Sequence, residues 1–140
     1  MQVAGIAAAF VWLGMVLAIS FLEAPLKFRA PGVTLQTGLG IGRLVFRALN
    51  ACEVLLAVTL VVAVWAGGAS TLGVAAAAVA VVMLAVQIVA VRPALTRRSD
   101  QVLAGAEGPR SHAHVVYVGL EVVKVIALVT AGVALAVPAS

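Results

Sequence analysis

The chain has 140 residues, of which 64% are hydrophobic and 10% are charged, and its mean hydropathy is +1.22. So little polar surface excludes a water-soluble globule, and the length leaves no room for a soluble catalytic module beside a membrane domain. The formal net charge of +4 comes from Lys and Arg that flank apolar runs, not from a basic arm with aromatic residues, which argues against nucleic-acid binding.

Four apolar runs cover most of the chain, at about residues 3–22, 42–66, 72–91 and 114–137. Each has about 20 residues or more, which is enough for a helix to cross a hydrocarbon core of about 30 Å. The runs lack the strict alternation of a membrane β-barrel. We therefore predict an all-α membrane protein, a single four-transmembrane-helix bundle. The short segment Gly67–Thr71 makes the second and third helices antiparallel neighbours.

The first run resembles an export signal, but it has no preceding Lys or Arg and no convincing cleavage site before Glu23. We therefore expect a retained span. Basic residues gather at the first and third connections, whereas the second connection and both termini carry none. The positive-inside rule then places both termini on the non-cytoplasmic side of a bacterial inner membrane. The basic residues in question are Lys27, Arg29, Arg43, Arg47, Arg92, Arg97, Arg98 and Arg110.

The first connection combines a proline-containing interfacial segment, residues 23–32, with a glycine-rich stretch at Gly38, Gly40 and Gly42. Glycines before a helix can present backbone N–H groups to an anion. Their conformational freedom favours a flexible hinge, and the spacing is not that of a dinucleotide-binding loop.

Polar residues recur at helical spacing, so each helix has a candidate inward face. Two charges, Glu121 and Lys124, interrupt the fourth run, and a charge at the centre of a membrane helix costs about 3 kcal/mol. The inward faces are Trp12, Ile19 and Glu23 in the first helix; Arg43, Arg47 and Asn50 in the second; Ala76, Ala80, Met83 and Gln87 in the third; and His114, Tyr117, Glu121, Lys124 and Leu128 in the fourth. Glu53 lies one turn beyond Asn50 and is rotated off the face of the second helix.

Helical rise places these polar side chains in the cytoplasmic half of the bundle, with Gln87 closest to the surface. This indicates a polar cavity, open or nearly open to the cytoplasm, that binds an ion, a proton or a small polar ligand. The predicted site residues are Glu23, Arg43, Arg47, Asn50, Glu53, Gln87, His114, Tyr117, Glu121 and Lys124.

A structural interpretation is also open. Three acids (Glu23, Glu53 and Glu121) and three bases (Arg43, Arg47 and Lys124) sum to zero and could simply fix the helix register. His114 is better explained as a cap than as a metal ligand, since the chain has only two histidines. The single Cys52 excludes an intrachain disulfide. No metal or cofactor can be assigned.

The segment Ser20–Phe28, together with Gly42, Arg43, Phe46, Asn50, Glu53, His114, Tyr117, Glu121 and Lys124, resembles a family of small uncharacterised bacterial inner-membrane proteins. More distantly, the layout is similar to the transmembrane-protein-205-like group and the copper-resistance D-type proteins. That likeness implies a helical bundle and an association with metal or drug tolerance, whereas the chain has no His-rich or Met-rich metal path.

Three classes of function remain. The first is a small, oligomeric transporter or channel, and the second is an accessory subunit or assembly factor of a larger membrane complex, packed through faces rich in Ala and Gly. The third, an enzyme or haem carrier, ranks last, because the chain shows no catalytic set or nucleotide loop and a haem would need His112 or His114. We find no convincing internal repeat in the sequence.

Overall fold

The computed structural model describes residues 1–105 and 112–137, with side chains described for 1–105 and 115–137. These residues form helices α1 (Gln2–Arg29), α2 (Leu35–Gly67), α3 (Thr71–Leu103) and α4 (His112–Ala136). Each helix is long and apolar enough to span a membrane. The prediction of an all-α protein with four potential membrane spans is therefore confirmed.

Helix ends follow local sequence signals. The Thr34 side chain accepts a hydrogen bond from the Thr37 amide at 3.1 Å and starts α2, and Ser70 does the same for Gly73 at the start of α3. Gly68, which ends α2, has φ of 64°, a left-handed conformation that glycine adopts without strain. The predicted tight turn between the second and third helices is present.

Two expectations about the helices, a glycine hinge before α2 and the end of α3 near residue 91, are wrong. Gly38, Gly40 and Gly42 lie inside α2, because the Thr34 cap starts the helix before them, so they form no hinge. Helix α3 continues beyond residue 91 to Leu103. Because α2 and α3 have 33 residues each, they are about 50 Å long and extend past a hydrocarbon core of about 30 Å.

Helices α1 and α3 each contain a widened π-helical segment, at Leu17–Glu23 and Gln87–Val91. Each segment is followed after one residue by a proline, Pro25 or Pro93. A proline lacks the N–H of the helical ladder and its ring clashes with the carbonyl of the preceding turn, so the turn before it widens. The widening rotates the side chains that follow it relative to a regular helix.

The helices pack as a ring in which α1 and α3 each contact both α2 and α4. The start of α1 and the end of α4 lie at one end of the bundle, where Gln2 Nε2 donates to the Leu135 carbonyl at 2.6 Å. We call this the apolar end. The opposite end, where α1 ends, α2 begins and α3 ends, is called the basic end and carries Lys27, Arg29, Arg43, Arg47, Arg92, Arg97 and Arg98.

The burial pattern reveals two tandem hairpins, α1–α2 and α3–α4, offset by 68 residues. The buried residues Gly5, Ala8, Ala9, Trp12 and Val16 of α1 correspond to Gly73, Ala76, Ala77, Ala80 and Leu84 of α3. In the second helix of each hairpin, Leu49, Glu53, Leu60 and Ala63 correspond to Tyr117, Glu121, Leu128 and Ala131. Pro25 corresponds to Pro93. The two hairpins therefore repeat the same burial register at an offset of 68 residues, which the sequence does not reveal because shared Ala and Val carry little signal in so apolar a chain.

Candidate functional site

Four polar side chains are buried together in the interior of the bundle. Glu53 of α2, Gln87 of α3, and Glu121 and Lys124 of α4 are each 0–1% exposed. We call them the charged cluster. Counted from the helix ends at the apolar end, they lie about 20 Å into the bundle. The cluster therefore lies well inside four helices that are each long and apolar enough to span a membrane.

Lys124 is the centre of the charged cluster. Its Nζ lies 2.5 Å from Glu53 Oε2, 2.5 Å from Glu121 Oε1 and 2.7 Å from Gln87 Oε1. Gln87 Nε2 in turn donates to Glu121 Oε1 at 2.8 Å. The contacts to Glu53 and Gln87 are hydrogen bonds, and the contact to Glu121 is an ion pair. The contacts join α2, α3 and α4.

Helix α1 supplies two further hydrogen bonds to the charged cluster. Trp12 Nε1 donates to Glu53 Oε2 at 2.7 Å, and Ser20 Oγ donates to Glu121 Oε2 at 2.5 Å. Ser20 lies in the π-helical segment of α1, and Gln87 begins that of α3. The widened turns of both helices therefore contribute to the cluster, in agreement with the frequent occurrence of π-helical turns at functional sites.

Only one of the two carboxylate oxygens of Glu53 has hydrogen-bond partners among the described residues. Its Oε2 accepts from both Trp12 and Lys124, whereas its Oε1 is buried and has no hydrogen-bond partner among the described residues. A buried polar atom without a partner costs free energy. Within the charged cluster, this oxygen is therefore an unused hydrogen-bond acceptor among the described residues.

A second polar layer lies nearer the basic end and takes one residue from each helix: Lys27, Phe46, Arg92 and Tyr117. We call it the basic-aromatic layer. Arg92 Cζ is 4.9 Å from the ring centroids of both Phe46 and Tyr117, whose rings meet edge to face at 5.8 Å. Lys27 Nζ is 6.0 Å from the Phe46 centroid. The layer is thus held by cation–π contacts.

Some predicted site residues lie outside the charged cluster. Arg43 forms an ion pair with Asp100 and donates to Ser99 Oγ at 3.1 Å, which ties α2 to α3 at the basic end. Arg47 is exposed, and Asn50 is half-buried. Glu23 is 3.7 Å from Lys27 Nζ. The His114 side chain lies outside the described residues.

Of the three acids and three bases of the structural interpretation, Glu53, Glu121 and Lys124 meet in the charged cluster. The others, Glu23, Arg43 and Arg47, lie outside it. Gln87 is also deeper than expected, because α3 continues to Leu103 and places it beside Glu121. The sequence reasoning missed Ser20, Lys27 and Arg92 as contributors to the interior. In the sequence, the basic residues Lys27 and Arg92 indicate only the membrane topology. The predicted inward position of Trp12 agrees with the structure, in which it is 0% exposed.

The four side chains of the charged cluster pack against one another, with 0–1% exposure, and do not line an open, water-filled cavity within the described part of the chain. In residues 1–105 and 115–137, no group of three or more His, Cys, Asp or Glu side chains is arranged to hold a metal ion. Cys52 is a half-buried free thiol. The chemistry of the interior is thus that of two carboxylates, an amide and an ammonium.

No protein-family model matches the chain, and comparisons with curated proteins and with solved structures give no match. The sequence and the geometry above are therefore the basis for a proposal about function.

Proposed function

We propose that the protein binds a small cation, either a proton or a monovalent metal ion, at the charged cluster and moves it across a bacterial inner membrane as an oligomer. The observation that carries this proposal is the charge imbalance of the charged cluster. Two carboxylates, Glu53 and Glu121, surround one ammonium, Lys124, and all three are at most 1% exposed.

The imbalance has an energetic consequence in a membrane. An unbalanced charge within the hydrocarbon region costs several kcal/mol, so a bundle that buries two carboxylates and one ammonium gains by taking up one more positive charge. Glu53 Oε1 offers a buried acceptor for it. Uptake of a proton or a small cation would neutralise the cluster without displacing Lys124.

The proposed topology follows from the charge distribution. The basic end faces the cytoplasm and both termini lie on the opposite side, in accordance with the positive-inside rule. Oligomerisation is part of the proposal, because a ring of four helices with a packed interior has no continuous pore of its own within the described residues.

One observation favours the second candidate, an accessory subunit or assembly factor of a larger membrane complex. Lys124 contacts polar groups on three helices, with hydrogen bonds to Glu53 of α2 and Gln87 of α3 and an ion pair with Glu121 of α4. A buried ammonium that contacts three helices also fixes the register of those helices, a known use of buried polar groups. On that account the cluster is structural, and its charge state does not respond to added ions.

Ion-dependent stability separates the two candidates. We would measure the thermal unfolding of the detergent-purified protein at constant ionic strength, with choline replaced by Na⁺ or K⁺, and over a series of pH values. A cation that binds the folded state raises the unfolding temperature by mass action. The proposal expects that Glu53→Gln removes this response, whereas the matched control Glu23→Gln, an acid outside the charged cluster, retains it. An identical response in both variants would contradict the proposal.

A further inference from the structure

The basic-aromatic layer has a feature that the proposed cation site does not use. Arg92 Nε and Nη2 are buried and have no hydrogen-bond partner among the described residues. The Arg92 side chain as a whole is half-buried, so it also reaches the protein surface. An arginine held in place but lacking partners for two of its nitrogens is poised to receive a ligand.

These two nitrogens share one edge of the guanidinium. The N–H of Nε and one N–H of Nη2 point in the same direction, and this side edge matches the two oxygens of a carboxylate or phosphate. The arrangement is the one that gives arginine its preference for bidentate oxyanion recognition, which lysine cannot reproduce.

The rings on either side fix the orientation of this edge. Arg92 Cζ lies 4.9 Å from both the Phe46 and the Tyr117 centroid, so α2 and α4 together hold the guanidinium of α3. A side chain that is already ordered loses less entropy when it binds. Carboxylates of the charged cluster do not use the edge, since neither nitrogen has a partner.

Nearby charge favours an anion. Lys27 Nζ is 6.0 Å from the same Phe46 ring, and its Glu23 partner at 3.7 Å leaves the set of Lys27, Arg92 and Glu23 with one excess positive charge. The bundle end at this level also carries Arg29, Arg43 and Arg47. Such a field attracts oxyanions from the adjacent aqueous phase or from lipid headgroups.

We propose that Arg92 is the anchor of an oxyanion site at the basic end of the bundle, which binds a phosphate or carboxylate group on the Nε and Nη2 edge of its guanidinium. This site is distinct from the cation site in the charged cluster, and it binds whether or not the protein moves an ion. The oxyanion can belong to a soluble solute or to the headgroup of an anionic lipid, since both present the same oxygens.

The test uses two probes on the purified full-length protein. Thermal unfolding is recorded in maltoside detergent, which has no phosphate or carboxylate, with inorganic phosphate against sodium chloride of equal ionic strength. It is recorded again in lipid nanodiscs made of phosphatidylcholine alone or with added phosphatidylglycerol. Stabilisation by inorganic phosphate indicates a soluble ligand, and stabilisation by phosphatidylglycerol alone indicates a lipid headgroup. Either result supports the site.

Arg92→Lys is the informative variant, because it keeps the positive charge but lacks the side edge. We expect the half-saturating concentration of the effective probe to rise roughly 10- to 100-fold. Arg47→Lys is the matched control on an exposed arginine at the same end, and it should bind as the parent does. Unfolding in ligand-free buffer checks that both variants are folded. Equal binding by Arg92→Lys and the parent, or no stabilisation of the parent by either probe, would overturn the proposal.

Discussion

Glu53 and Glu121 occupy equivalent positions in two tandem hairpins, 68 residues apart, and each lies 2.5 Å from the Nζ of Lys124. The repeat thus places two carboxylates opposite each other in the interior, but it supplies only one ammonium, since the position equivalent to Lys124 is Leu56. The charge imbalance of the cluster is a direct result of this asymmetry between the halves.

The role of Lys124 in stability can be measured by removing it. Lys124→Met leaves two buried carboxylates without their ammonium, so we expect a loss of about 3–5 kcal/mol in the free energy of unfolding. The triple variant Glu53→Gln, Glu121→Gln, Lys124→Met removes all charge and should recover much of that loss. Denaturant unfolding in mild detergent would provide both values.

The double variant of Glu121 and Lys124 distinguishes the present structure from a simple ion pair. With both replaced by Gln and Met, Glu53 keeps only its hydrogen bond from Trp12 and remains a buried charge. We therefore expect the double variant to stay well below the triple variant in stability. Equal stability of the two would show that Glu53 does not depend on Lys124.

Close packing of α3 can be tested at Ala80, which is 0% exposed and lies in the hydrophobic core. Ala80→Leu adds volume where helices meet and should destabilise the fold by about 1–3 kcal/mol. Ala85→Leu is the matched control on the exposed side of the same helix, and it should have little effect. A similar loss for both variants would refute the packing argument.

Gly5 and Gly73, which are equivalent in the two hairpins, differ in how much space their surroundings leave for a Cβ atom. A Cβ added at Gly5 would lie 3.0 Å from Ala63 Cβ and 3.2 Å from Leu135 Cδ1, whereas one at Gly73 would lie 3.7 Å from Ala134 Cβ, an ordinary contact. Because Ala63 Cβ cannot rotate away, Gly5→Ala must move α1 and should cost roughly 1 kcal/mol. Gly73→Ala should be neutral or slightly stabilising, since alanine favours helix. The reverse order of melting temperatures would contradict this.

Membrane orientation can be tested by cysteine labelling in a Cys52→Ser background. Thr71 is exposed at the start of α3, and Thr96 is exposed near its basic end. If the basic end faces the cytoplasm, a thiol-specific reagent that does not cross membranes should modify Thr71→Cys in intact cells and Thr96→Cys only after permeabilisation. Labelling of Thr96→Cys alone in intact cells would reverse the orientation.

The sequence predicted the helices and the inward faces that carry Gln87, Glu121 and Lys124, because polar groups in apolar runs must be buried away from lipid. It named Glu53 as a site residue but placed it off the inward face of its helix, whereas Glu53 is 0% exposed. The sequence could not predict which of these polar side chains contact one another. Lys124 has three rotatable partners within reach, and the π-helical segments shift the phase of Ser20 and Gln87 relative to a regular helix.

The position of Arg43 and Arg47 outside the charged cluster has a different physical cause. The sequence prediction ends each helix where its apolar run ends, whereas α2 and α3 continue beyond their apolar runs at the basic end. Arg43 therefore lies where Asp100 of α3 can pair with it, at the surface of the basic end. Arg92 lies closer to the cluster and is drawn inward by the faces of Phe46 and Tyr117.

Ion flux through reconstituted protein tests the central claim most directly. The protein would be inserted into phospholipid vesicles, and uptake of the cation that stabilises the purified protein would be followed with an enclosed fluorescent indicator. The account predicts uptake by the parent and by Glu23→Gln, and uptake by Glu53→Gln no faster than in protein-free vesicles, because that variant lacks the excess negative charge. Uptake by Glu53→Gln at the rate of the parent, or a parent rate equal to that of protein-free vesicles, would contradict the account.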